Sequence, residues 1–488
     1  MPTKAPFIEG QIRPSMPDSP LKAGFDNMTL SMSPAARRPA TQPSSVETPA
    51  VMKQEISRLG AMPEVRSAIE WLRHQEAEFA RWQLELAAIP APPFGEAARG
   101  GWLAGKFQSL GLRQVHTDDV GNVFGIRPGR QDSFTSVSAH IDTVFPSGTP
   151  LKVRLQGKRL YGPGISDNGA GVTALLAIAS AFENFPLPHA DSLVFIGNVG
   201  EEGEGDLRGM RHIFSDSKWK ESIKASVVVD GAGMDTIVAE ALGSRRFEVT
   251  LSGPGGHSWS DFGAPNPITA LAHAIHLFSQ VRIPSSPKTT FNIGVIGGGT
   301  SVNSIPESAS MRVDIRSTSP AEIDRLEQQL RNAIDRAMTD HANTDRVNND
   351  RANNDDANCD PAIEDNRSRS ARDPGPSRRL ARLEAKIVSI GDRPGGELAP
   401  NARILQIARA VDAHLGNSAQ VQRASTDANI PISMGREAIA IGAGGSGGGA
   451  HTLQEWFDTT GREFGLERIL LIVLALSGAG SSVPGPEQ

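Results

Sequence analysis

Along the chain, short apolar runs bounded by Gly, Asp or Ser alternate with longer stretches in which apolar residues recur every three or four positions. Ser136–Ile141, Ser192–Gly197, Ser226–Asp230 and Ala438–Gly442 are runs of the first kind and read as buried strands of an α/β sheet. Val65–Leu86, Gly169–Phe182, Arg403–Leu415 and Glu463–Leu476 carry the second pattern and predict helices between or beside those strands. From Gly243 the order changes. Strand patterns at Arg246–Leu251, Thr290–Val295, Ser310–Ser317 and Leu383–Ile390 are interleaved with helical patterns at Pro267–Val281 and Ala321–Met338. That βαββαβ order predicts a ferredoxin-like second domain inserted into the first.

Two segments stand outside this alternation. Residues 1–55 are rich in Pro, Ser, Thr and Met and are expected to form a disordered tail. Residues 341–379 are dominated by Asn, Asp, Arg and Ser and read as a disordered insertion, because they bury too little surface to offset their ordering entropy. The expected organisation is therefore a first domain built from 65–242 and 393–482, with a second domain at 243–392.

The balance of 49 Lys and Arg against 55 Asp and Glu leaves a formal charge of −6. This mild acidity argues against a nucleic-acid partner or a basic membrane-binding surface. Nothing near the start resembles a secretory h-region, and the apolar run Ile469–Leu476 is far short of the ~20 residues that span a bilayer. A cytoplasmic protein with no membrane partner is expected. The single cysteine, Cys359, excludes an intramolecular disulfide framework and a cysteine-based zinc site.

The candidate chemistry lies where the strands end. The first strand closes on His140-Ile141-Asp142, the second runs into Glu201-Glu202, the third ends at Asp230, and the fourth leads through a glycine loop to His451. Asp167 follows the turn Gly162-Pro163-Gly164 and stands just before a helix. Each residue alone has an ordinary reading: a partly buried histidine, a solvated acidic loop, a helix cap, a turn residue. Together they gather imidazoles and carboxylates at the carboxyl ends of strands, where open α/β sheets bind ligands. That donor set suits a zinc-type ion. Asp142, two residues beyond His140 on an extended chain, projects to the same side and can orient the imidazole. Adjacent acids at 201 and 202 point in different directions, so one can ligate while the other stays free as a base.

The phrases Ser138-Ala139-His140-Ile141-Asp142-Thr143-Val144, Gly162-Pro163-Gly164-Ile165-Ser166-Asp167-Asn168 and Gly200-Glu201-Glu202-Gly203-Glu204-Gly205 resemble the dinuclear zinc exopeptidases. That family includes peptidase T, carboxypeptidase G, dipeptidases and aminoacylases. Gly253-Pro254-Gly255-Gly256-His257-Ser258 and Ala450-His451-Thr452 extend the resemblance, which runs from about residue 75 to 480. It implies a mixed-sheet α/β catalytic domain (65–242 and 393–482) carrying a ferredoxin-like lid and dimerisation domain (243–392). It further implies two divalent ions, zinc first with manganese or cobalt as alternatives. Asp167 would bridge them, His140 and Asp230 would complete one shell, and Glu202 and His451 the other. Glu201 would be the general base that deprotonates a water held between the ions, with Asp142 holding His140. The Asp167–Asn168 peptide would be cis. His257 would reach from the lid into a partner's site in a homodimer, and Asn303 and Arg316 would hold the substrate's backbone and carboxylate.

The resemblance implies hydrolysis of short peptides. Asp rather than Glu at position 230, with Ile89-Pro90-Ala91-Pro92-Pro93 and Ser425-Thr426-Asp427-Ala428-Asn429-Ile430, is most similar to peptidase T-like members. Hydrolysis of N-acyl amino acids is the alternative, and a non-catalytic metal-binding relative is a second. Gly444-Gly445-Ser446-Gly447-Gly448 matches the pattern of a serine-hydrolase elbow, but more glycines follow where a helix is required. Gly442-x-Gly444-x-x-Gly447 matches a dinucleotide fingerprint, but too little chain remains to complete the βαβ unit.

Overall fold

Four of the apolar runs become adjacent parallel strands, ordered Asp191–Asn198, Gln131–His140, Ile223–Val229 and Glu437–Ile441. The computed structural model describes residues 49–215, 218–355 and 382–479, without the side chains of 49 and 342–355. Five flanking strands complete a nine-stranded mixed sheet, all joined by antiparallel pairing except Gln420–Ala424, which runs parallel to Thr236–Ala241. Its register sets the site. His140 pairs with Asn198, Ser138 with Val228, and Val229 with Ile441, so the four carboxyl ends lie level.

The helix Gly169–Asn184 is buried on nearly every side, as its almost uninterrupted small and apolar sequence requires. The helix Arg462–Leu476 packs beside it in the same core. The second domain has a core of its own, drawn from residues between Phe247 and Leu383. Its antiparallel strands run in the order Thr289–Gly298, Ser308–Ser317, Gly243–Ser252, Glu384–Arg393, which is the ferredoxin-like arrangement. Phe247, Val249 and Leu251, with Met311, Val313 and Ile315, alternate onto the face covered by the helices Pro267–Ser279 and Pro320–Asp355.

Three expectations are corrected. The patterned stretch Val65–Leu86 is two helices, Pro63–His74 and Glu76–Ala87, parted at Gln75. The polar run Arg73-His74-Gln75-Glu76 leaves that turn exposed or half-buried while Trp71 and Phe79 meet edge to face across it. The tail expected over 1–55 gives way to a helix at Pro49–Ala61, whose Met52, Ile56 and Leu59 share one buried face. Residues 1–48 lie outside the described residues. The helix Pro320–Asp355 continues past His341 into the segment expected to be disordered, because no Gly or Pro interrupts it before Pro361 and each added turn needs no new nucleus. The remainder of that segment, 356–379, is outside the described residues.

Candidate metal centre

Asp167 sits between the Gly162–Gly164 turn and the start of the helix Gly169–Asn184. Its neighbour Asn168 caps that helix by accepting from the Gly171 N–H (3.0 Å), donates to the Val229 carbonyl (2.9 Å), and accepts from the Gly231 N–H (3.0 Å). One amide side chain therefore ties the Asp167 turn to the strand end carrying Asp230. A β-carbon at Gly171 would collide with Asn168 Oδ1 and the Val229 carbonyl, so the close approach needs glycine there. The Asp167–Asn168 peptide bond is cis.

The two Asp167 carboxylate oxygens face two different imidazoles. Oδ1 lies 3.2 Å from His140 Nε2 and Oδ2 lies 3.2 Å from His451 Nε2. Each histidine has a second carboxylate of its own: Asp230 Oδ1 is 3.6 Å from His140 Nε2, and Glu202 Oε1 is 3.1 Å from His451 Nε2. Ligand atoms of His140, Asp167 and Glu202 all lie within 4.8 Å of one another. Behind them Asp142, fully buried, faces His140 Nδ1 at 3.5 Å and accepts from the Glu201 and Glu202 N–H groups (3.1 and 2.8 Å). A single carboxylate thus orients one histidine and the backbone of the paired acids.

The donors fit a cation. His140 turns Nε2 toward the cluster and Nδ1 toward Asp142, the arrangement by which a metal-bound imidazole is oriented by a carboxylate behind it. The acids and imidazoles of the cluster shift one another's proton affinity. Burial pulls the His140 value down, but Asp142, Asp167 and Asp230 outweigh it and hold the imidazole well above its ordinary range. His451 is raised to about 9, chiefly by its bond to Asp167. Burial pushes Asp167 up, yet the two imidazoles prevail and hold it well below the usual carboxylate range. Glu202 is raised to about 7 by burial. Divalent ions bound by these imidazoles and carboxylates would release the protons they carry.

Glu201 is buried beside the cluster, and burial raises its carboxyl well above the ordinary value, with Arg393 opposing. Arg393 Nη1 lies 2.9 Å from Glu201 Oε1, Nη2 donates to the Glu201 carbonyl, and Nη1 also reaches Ser425 Oγ at 3.2 Å. The sequence reading missed Arg393. Its one signal is a basic residue in Gly391-Asp392-Arg393-Pro394, where the second domain rejoins the first. Asp427, quoted above within a family-like phrase but given no role there, is fully buried and accepts from Asn198 Nδ2 at 2.6 Å. The glycine loop before His451 contains the strand Ser446–Gly448, paired with Trp456–Asp458, and so provides no strand-to-helix elbow at Ser446.

The residues expected on the lid separate into two places. His257 and Asn303 are neighbours: His257 pairs with Ser304, and the Ser258 N–H donates to the Asn303 carbonyl (3.0 Å). Arg316 lies at the other end of its strand, where Nε contacts Asp314 at 2.7 Å. Asp314 also binds Arg246, whose Nη1 donates to the Gly203 carbonyl (3.1 Å) just beyond the paired acids. The strand between Ser308 and Arg316 alone spans roughly 26 Å at ~3.3 Å per residue. Arg312, midway along that strand, also contacts Glu204 (3.2 Å), and His257 and Asn303 lie beyond the strand's Ser308 end.

Fold and donors together define a two-domain α/β protein with a carboxylate–imidazole centre suited to divalent cations. The chain belongs to Peptidase family M20/M25/M40, whose family model matches residues 137–474. It is 25% identical to carboxypeptidase G2 of a Pseudomonas species over 232 residues, covering 46% of this chain and 55% of that protein. It is 26% identical to succinyl-diaminopimelate desuccinylase of Nitrosococcus oceani over 259 residues, covering 49% of this chain and 68% of the relative. Among solved structures it is similar to the aminopeptidase PepT of Bacillus cereus, with a TM-score of 0.60 at 18% identity, covering 82% of this chain and 98% of that one. A tripeptidase of Staphylococcus aureus gives a TM-score of 0.61 at 19% identity with the same coverages. No helix among the described residues is long and apolar enough to cross a membrane.

Proposed function

We propose that the protein is a metal-dependent exopeptidase that hydrolyses short peptides, with Glu201 as its general base. One observation carries this reading: Asp167 lies between His140 and His451, and each of those histidines has a second carboxylate, Asp230 or Glu202, within 3.6 Å. Such a set has two equivalent halves sharing one carboxylate, which is what a pair of cations needs. His140, Asp230 and Asp167 would hold one ion, and Asp167, Glu202 and His451 the other. Zinc is the first choice, and the same oxygen and nitrogen donors accept manganese or cobalt. When bound, two such ions polarise a scissile carbonyl and acidify a water.

Glu201 receives the proton of the attacking water and passes it to the leaving amine. Arg393, held against Glu201 Oε1 and its carbonyl, restrains the carboxylate's position. On the lid, His257 Nδ1 accepts from the Trp259 and Ser260 N–H groups (3.2 and 3.3 Å), so the neutral ring carries its proton on Nε2. That tautomer can donate to a developing oxyanion. The length of the lid argues that it does so in a second copy of the chain, hence a homodimer formed through the lid at 243–392. The outer strand Thr289–Gly298, with Val295 and Ile296 exposed, is an open edge that a second copy could cover. Asn303 would hold the substrate's backbone beside His257, and Arg316 its carboxylate after exchanging Asp314 for it.

A second reading, hydrolysis of N-acyl amino acids, is favoured by the desuccinylases among the relatives. The deciding experiment measures amino-acid release from di- and tripeptides beside N-acetyl, N-succinyl and N-carbamoyl amino acids, with zinc, manganese and cobalt in turn. Turnover of the free peptides is expected. Activity confined to the acylated compounds would replace the first reading with the second.

A further inference from the structure

Four residues beyond His451 lies a carboxylate that the proposed chemistry does not use. Glu455 is 1% exposed, and its side chain accepts three main-chain N–H groups of one turn. Oε2 takes the Gly164 N–H at 2.8 Å, while Oε1 takes those of Ser166 (2.7 Å) and Asp167 (2.8 Å). The Glu455 carbonyl accepts a fourth, from Gly162 at 3.1 Å. The grip continues an antiparallel pairing in which Trp456, Phe457 and Asp458 face Tyr161, Leu160 and Arg159.

Burying a carboxylate is costly unless hydrogen bonds compensate, and here a single turn supplies all three. The turn is closed by its own Ile165 N–H to Gly162 carbonyl bond (3.1 Å), and Gln83 Nε2 donates to the Ile165 carbonyl from outside, while Glu455 alone takes the N–H groups of Gly164, Ser166 and Asp167. Gly164 lies at φ +71° and Gly162 at +155°, so two of its residues have wide conformational freedom in the unfolded chain. Its last residue is Asp167. On the opposite side the segment bearing Glu455 begins with His451, and the Thr452–Glu455 stretch is closed by a Glu455 N–H to Thr452 carbonyl bond (3.3 Å). Asp167 and His451 approach to 3.2 Å although they come from distant parts of the chain.

We propose that Glu455 is a positioning residue: it grips the 162–167 turn from the segment that carries His451, and so sets the separation of Asp167 and His451 before any cation arrives. This rests on the reading of those two residues as metal ligands. The groups behind a metal centre that orient its ligands typically change metal affinity ~10–100-fold when altered. Glu455→Gln keeps the size but turns one acceptor into an N–H donor facing another N–H donor.

Two measurements test this. Hydrogen exchange followed by mass spectrometry on the metal-free protein should show slow exchange across 162–168 in the wild type. Exchange there should be at least tenfold faster in Glu455→Gln, with the helix Arg462–Leu476 unchanged. Calorimetric titration with zinc, or with cobalt followed by its absorption spectrum, should show affinity lowered ~10–100-fold. The turnover number should fall while KM stays within about threefold, and Glu455→Asp should recover part of both losses. Zinc affinity within threefold of wild type despite faster exchange would overturn the proposal. So would rapid exchange of 162–168 in the wild type, a result obtainable even if Glu455→Gln does not fold. A wild-type protein that protects the turn but binds no zinc would instead sink the metal reading, and the proposed role with it, which keeps the two failures apart.

Discussion

At the scale of single residues, the site separates groups that would bind cations from groups that act beside them. Glu201 and Glu202 are adjacent, yet only Glu202 contacts His451, while Glu201 is held by Arg393. Glu201→Gln should therefore lower turnover by ~10²–10⁴-fold, the usual contribution of a general base, with zinc content unchanged in elemental analysis. Loss of metal together with activity would make Glu201 a ligand instead. Away from the site, Glu76 is raised to about 7, mainly by burial, with Arg462 opposing. Its Oε1 is sealed from water without a hydrogen-bond partner, although other parts of the side chain are exposed. Between the unfolded value near 4.5 and about 7, the native chain keeps a proton that the unfolded chain has released. Its contribution thus favours folding below that window and is lost as pH rises through it. The Tm difference between Glu76→Gln and wild type should grow in the variant's favour from pH 5 to pH 8; a difference that does not change with pH would contradict this.

At the scale of elements, the side chains proposed for the metal centre sit where regular structure stops. The start of the helix Gly169–Asn184 is fastened to the Asp230 strand through Asn168, and the absence of a side chain at Gly171 permits that contact. Gly171→Ala should cost about 1–3 kcal/mol through overpacking, measured by urea unfolding, and weaken zinc binding in the same variant. Lost stability with unaltered zinc affinity would show that the cap does not govern the site. Element type was legible because period and composition agree: the four parallel strands and the lid's βαββαβ order follow from the apolar pattern. Element ends were not. The break at Gln75 involves neither Gly nor Pro, and only the polar run at 73–76 marks it. The helix Pro49–Ala61 had a readable face in Met52, Ile56 and Leu59, masked by the Pro- and Ser-rich sequence before it.

At the scale of the whole molecule, His257 lies on the second domain, beyond the Ser308 end of the strand that carries Arg316. If the sites are shared across a homodimer, inactive His257→Ala and inactive Glu201→Gln proteins should regain activity when mixed and allowed to exchange subunits. A dimer has one site that combines an intact Glu201 with an intact His257 only when the two variants pair. No recovery from verified heterodimers would assign His257 another role. Removing divalent ions with a chelator should lower Tm, because cations that bind only the folded chain stabilise it, and adding zinc back should restore it. A Tm indifferent to the chelator would count against the proposed centre.

By itself the sequence determined which residue types close each strand, and hence that imidazoles and carboxylates meet at one edge of an α/β sheet. Backbone periodicity is local and survives without knowledge of the partner strand. Tertiary structure alone decided the rest. Asp167 and Glu455 are 288 residues apart, and nothing local to either announces that one grips the other's turn. Arg393 reaches Glu201 because the last strand of the second domain ends beside the paired acids, and His257 meets Ser304 across a bridge that only folding forms. Such appositions depend on register and packing between distant segments, and those become definite only when the whole chain is folded.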